Sequence, residues 1–96
     1  MISGIIIAGT VRTASVDDSV SMPILALHHV QDSCLGTPTD ASARIVNKRP
    51  PQFVSKLEMI DGGTSQGDEC QSFAYHGFNQ TEPELIKRAA KFILSN

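Results

Sequence analysis

Apolar residues along the chain fall into short blocks, and their spacing separates strands from helices. Ser3-Gly4-Ile5-Ile6-Ile7-Ala8-Gly9 is a continuous β-branched run closed by glycine. A run without polar alternation predicts a strand buried on both faces, as in a parallel sheet. Thr10 to Met22 is polar, carries scattered valines and shows no helical period, so it predicts a loop. Pro23-Ile24-Leu25-Ala26-Leu27-His28-His29 is a second strand of the buried kind, with proline tolerated at its first position. Thr37-Pro38 then reads as an N-cap and a proline in the first helical position, opening a helix to about Lys48 that Pro50-Pro51 stops. Leu57 and Met59 alternate with Lys56 and Glu58 in a third strand over about Phe53 to Ile60. After a glycine-rich loop from Gly62 to Ser72, Thr81 and Glu84 form a capping box. Leu85, Ile86, Ala89, Phe92 and Ile93 follow as one helical stripe.

Strands alternating with helical crossovers predict an α/β fold, a parallel-sheet fragment of about three strands with flanking helices. There is no internal repeat, low-complexity tract or domain boundary, so residues 1–96 read as a single, partial domain. In such sheets chemistry gathers beyond the carboxyl ends of the strands. Composition removes alternatives rather than choosing one. A net charge of −2 with no basic cluster argues against nucleic acid as a partner. The apolar runs are too short to span a bilayer. Met1-Ile2-Ser3-Gly4 lacks the basic start of a signal peptide, so no export signal is expected.

Beyond the second strand stands His28-His29-Val30-Gln31-Asp32-Ser33-Cys34, and before the last helix stands Tyr75-His76-Gly77-Phe78. In this order the chain resembles the α/β-hydrolase family over nearly its whole length, from Ser3 to Leu94. The segment Pro23 to Asp32 is similar to that family's acid-bearing strand and turn, and His76-Gly77-Phe78 to its His-Gly-Phe signature. The resemblance implies that the three strands are the last three of a larger sheet. It implies a serine hydrolase acting on an ester or similar acyl bond, with Asp32 as triad acid and His76 as general base. No cofactor is implied.

The nucleophile is missing from this picture. Gly63-Thr64-Ser65-Gln66-Gly67 fits Gly-x-Ser-x-Gly literally, but it lies between acid and histidine and no apolar helix follows it. Ser65 is therefore read as part of a surface loop. Asp17 and Asp18 are runners-up for the acid. His28, His29, Asp32, Cys34, Cys70 and His76 could suggest a metal, yet their spacing matches no standard zinc pattern. The histidine pair is explained more simply by alternate burial along a strand.

Cys34 closely follows the proposed acid and Cys70 shortly precedes the proposed base. If those two residues meet, a disulfide between the cysteines is one expectation and two reduced thiols the other. The first implies an exported parent protein, the second a cytoplasmic one. A chain lacking the preceding strand would leave the edge at Ile5, Ile6 and Ile7 unpaired. Marginal stability, self-association or docking onto the remainder of a split enzyme is then expected. The alternative from another class is a non-catalytic α/β interaction module or degenerate paralogue, indifferent to Asp32→Asn and His76→Ala.

Overall fold

A computed structural model describes residues 4–95. The predicted strand start at Ser3 and the leader comparison over Met1 to Ser3 lie outside them. Strands β1 (Ile5–Ala8), β2 (Ile24–His29) and β3 (Ser55–Ile60) form one parallel sheet in the order β1-β2-β3. Helix α1 (Thr39–Lys48) connects β2 to β3, and α2 (Glu82–Ser95) closes the chain after a 3-10 turn at Tyr75–Gly77. The α/β class and the three parallel strands follow the sequence expectation.

Register assigns the faces. Ile5 pairs with Ile24 and Ile24 with Ser55, so Ala26, His28, Leu57 and Met59 share one face. That face meets α1, whose buried residues are Ala41, Ser42 and Ile45. Ile6, Leu25, Leu27 and Ile60 share the other face and pack with Phe78, Leu85 and Phe92. The sheet is thus a middle layer with one helix on each side. Every residue of β2 is buried, including both histidines, because the central strand is covered on both faces.

Several local expectations are corrected. β1 is half-buried, with Ala8 exposed, because it is an edge strand paired only with β2. β3 starts at Ser55 rather than Phe53, since the Phe53 N–H closes a turn onto the Pro50 carbonyl. Pro38, not Thr37, occupies the N-cap of α1 and offers no side-chain cap. The Thr37 hydroxyl is committed elsewhere, to Asp32. The capping box of α2 does not form either. Thr81 supplies the first accepting carbonyl, but its hydroxyl donates to the Phe78 carbonyl, and Glu84 pairs with Arg88.

The α2 stripe is only partly covered. Leu85, Ala89 and Phe92 face the sheet, while Ile86 and Ile93 remain 65% and 56% exposed. Arg88 leans toward β3, where it binds Glu58 and the Met59 carbonyl. Helical geometry puts Ile86 and Ile93 on the flank of α2 opposite Arg88. One flank of α2 is therefore dressed with charge and the other with apolar surface. No helix among the described residues is long and apolar enough to cross a membrane.

Candidate active site

Asp32 is delivered by the turn that ends β2. The Val30 N–H still donates to Ile60 of β3, and the Asp32 N–H then folds back onto the His29 carbonyl. The carboxylate enters the interior with its side chain 1% exposed. Its Oδ1 accepts the Cys34 N–H at 3.0 Å. Its Oδ2 lies 3.0 Å from the Thr37 hydroxyl, 3.0 Å from His76 Nδ1 and 2.9 Å from His28 Nε2.

His76 is placed by its two successors and its predecessor. Gly77 passes so close to Ser72 that a Cβ would collide with the Ser72 carbonyl. Phe78 adopts the left-handed conformation, φ 56°, and buries its ring in the core under α2. Tyr75 stacks on His29 with ring centroids 4.6 Å apart. His29 is itself tied down, since Nε2 donates to the Gly62 carbonyl at 2.7 Å and Nδ1 accepts the Gln31 N–H at 3.0 Å. Each letter of Tyr-His-Gly-Phe thus has a separate physical task. Gly9, at the carboxyl end of β1, completes the setting. A Cβ there would sit 3.2 Å from His76 Cε1, and its φ of +59° also favours glycine.

The hydrogen bonds decide the tautomer. The Thr37 hydroxyl gives its proton to Asp32, so toward His76 Nδ1, 3.0 Å away, it can only accept. Both neighbours of Nδ1 are then acceptors, and Nδ1 carries the proton. Nε2 holds the lone pair and has no hydrogen-bond partner among the described residues, on a side chain 24% exposed. Burial is the largest single influence on Asp32 and favours the neutral acid. Hydrogen bonds from His76, the Cys34 N–H and Thr37, with the charge of His76, together outweigh it and hold the carboxyl below the ordinary range.

Cys34 and Cys70 form a disulfide, with Cα atoms 4.9 Å apart. The bridge ties the acid turn to the loop preceding His76. Neither runner-up acid takes part in the pair. In an exposed turn the Ser19 side chain and the Ser19 N–H lower the Asp17 carboxyl, and Asp18 lies in the same loop. Ser65 is exposed within the Gly62-to-Ser72 loop; β3 ends at Ile60 and, apart from the 3-10 turn at Tyr75–Gly77, no helix begins until Glu82. The strand–turn–helix geometry of a nucleophile elbow is absent around it. Both ring nitrogens of His28 and of His29 have protein partners. Among the described residues no group of three or more His, Cys, Asp or Glu could hold a metal.

Sequence reasoning missed Thr37, Gly9 and the role of His28. Thr37 was hidden by its good fit to an N-cap before proline, and Gly9 read only as the end of a strand. His28 carried a usable signal, a polar residue on an otherwise apolar buried strand. Comparison with protein-family models, with curated proteins and with solved structures gives no match.

Proposed function

We propose that Asp32 and His76 are the acid and general base of a serine hydrolase acting on an ester or similar acyl bond. In this reading the chain supplies the C-terminal part of the catalytic domain. One observation carries it: a buried carboxylate holds Nδ1 of His76 while Nε2 keeps a free lone pair on a part-exposed ring. That is the arrangement needed to take a proton from a hydroxyl and return it to a leaving group.

The nucleophile and oxyanion donors come from a polypeptide segment outside these residues. Support for that placement lies in the β1 edge, unpaired among the described residues, and in the exposed Ile86 and Ile93 of α2, apolar surface that a further strand and its connection would cover. Without that cover the chain associates through the same edge, so its sedimentation coefficient rises with concentration. A disulfide beside the site favours a parent that folds in an oxidising compartment.

The test has two arms. The folded chain alone, treated with a fluorophosphonate, gives no adduct by intact mass; an adduct on Ser65 would make it a self-contained hydrolase and overturn the placement. Joined to or mixed with the segment that completes the sheet, it gives an adduct on a serine of that segment. His76→Ala then lowers ester turnover by roughly 10³-fold or more. A folded assembly with neither adduct nor turnover would leave the interaction-module reading, in which Asp32→Asn and His76→Ala change nothing.

A further inference from the structure

Among the described residues His28, His29 and Ser42 are the polar ones with no exposed surface, and His28 is the one that faces both α1 and Asp32. It is fully buried on β2, on the same face as Ile24 and Ala26, where an apolar residue would pack without needing any partner. Its ring instead bridges two hydrogen-bonding groups. Nε2 carries a proton and donates it to the Thr37 carbonyl at 2.9 Å, and Asp32 Oδ2 lies 2.9 Å from the same nitrogen. Nδ1 lies 2.8 Å from Ser42 Oγ on α1, and Ser42 Oγ lies 3.0 Å from Thr10 Oγ1 beyond β1. Close polar contacts thus connect Thr10, Ser42, His28, Asp32 and His76 across the loop after β1, α1, β2 and the histidine turn, with Ser42 donating to Thr10.

We infer that His28 is a positioning residue for His76. It holds Asp32 Oδ2 from the buried side, so that the carboxylate presents a fixed oxygen to the Nδ1–H of His76. The inference rests on the hydrolase reading for its catalytic meaning, but not for its geometry. A carboxylate held only by the Cys34 N–H and Thr37 could rotate about its terminal torsion, which is broad in side chains of this type. The third support comes from a ring that cannot follow that rotation, since its far nitrogen is anchored on α1. No water is needed at this position, and Ser42 is itself fully buried.

The experiment reads the imidazole directly in the 96-residue chain. Side-chain ¹⁵N-labelled histidine shows the tautomer of His76 and the solvent-exchange rate of its Nδ1 proton, and backbone amide spectra report the fold. In His28→Leu, exchange of the His76 Nδ1 proton accelerates about tenfold and the tautomer preference relaxes, the size expected for losing one buried polar contact to a carboxylate. His28→Gln keeps an N–H where Nε2 stood and stays within about twofold of the native rate. A folded His28→Leu chain with an unchanged His76 overturns the proposal. Should His28→Leu fail to fold, Ser42→Ala decides, because it keeps the ring and frees its anchor. An unchanged His76 in that variant overturns the proposal equally, and faster exchange supports it. These readings need no nucleophile. If they come out as expected while the completed assembly never reacts with a fluorophosphonate, the hydrolase reading fails and the positioning role stands.

Discussion

At the amino ends of β2 and β3, the Arg49 guanidinium donates to the carbonyls of Val20, Met22 and Val54 and to the Ser55 hydroxyl, at 2.7–3.0 Å. At the carboxyl ends, Asp32 collects donors from Cys34, Thr37 and His76 and lies against the His28 ring at similar distances. Both clusters are buried, and both join segments distant in sequence. They differ in what is left over. Among the described residues Arg49 leaves only its buried Nε without a hydrogen-bond partner. The Asp32 cluster ends on His76 Nε2, which has no partner among the described residues, on a ring that solvent partly reaches. A closed buried network ties the fold together, whereas one with an open, accessible valence is equipped for chemistry.

Variants that dismantle one end while sparing the other sharpen this contrast. The largest effect is expected from the disulfide, which closes a loop of sequence separation 36. The double variant Cys34→Ser, Cys70→Ser loses about 4 kcal/mol in urea unfolding, by the chain-entropy argument. Its His76 tautomer signal also broadens, since the bridge lies beside the site. Arg49→Met comes next, at about 3 kcal/mol, because it strands several carbonyl acceptors at once. In whatever fraction remains folded, the His76 spectrum is native. Disturbance of His76 by Arg49→Met would show that the two ends are not separable.

Asp32→Asn follows at about 2 kcal/mol, with a distinctive pH signature. The native carboxyl titrates below its unfolded value of about 3.9. Its contribution is therefore fully present above that value and is lost as pH falls through the lower folded value. Thermal melts between about pH 2 and 5 should show this acid loss in the native chain and a flatter profile in the variant. Equal slopes would mean that other carboxylates carry the acid sensitivity. Smallest is Gly9→Ala, at about 1 kcal/mol for its left-handed backbone. Its Cβ presses on His76, so the histidine signals move although the fold persists.

Legibility in the sequence tracked the range of the interaction. Strand-type runs at Ile5 to Ala8 and Ile24 to His29 are visible because burial on a sheet demands apolar residues locally. Asp32 and His76 were legible through element order and the resemblance their motifs carry, and the structure brings them within hydrogen-bonding distance. The capping assignments at Thr37 and Thr81 failed for a common reason. A hydroxyl one or two residues before a helix has competing partners, and here Asp32 and the Phe78 carbonyl win. The α2 stripe was legible as a stripe, but periodicity does not tell which of its residues the sheet will cover.

By itself, the sequence determined the α/β class, the strands and helices with their approximate bounds, and the two polar residues that end opposite loops. Those properties follow from local periodicity and from proline and glycine stereochemistry. Only the tertiary structure decided that Cys34 and Cys70 are bonded, that His28 backs Asp32, and that Gly9 makes room for the His76 ring. Each of these depends on the register of β1, β2 and β3, which aligns strand ends far apart in the chain. A hydrogen bond or disulfide forms only where that alignment brings its atoms within about 3 Å or 2 Å.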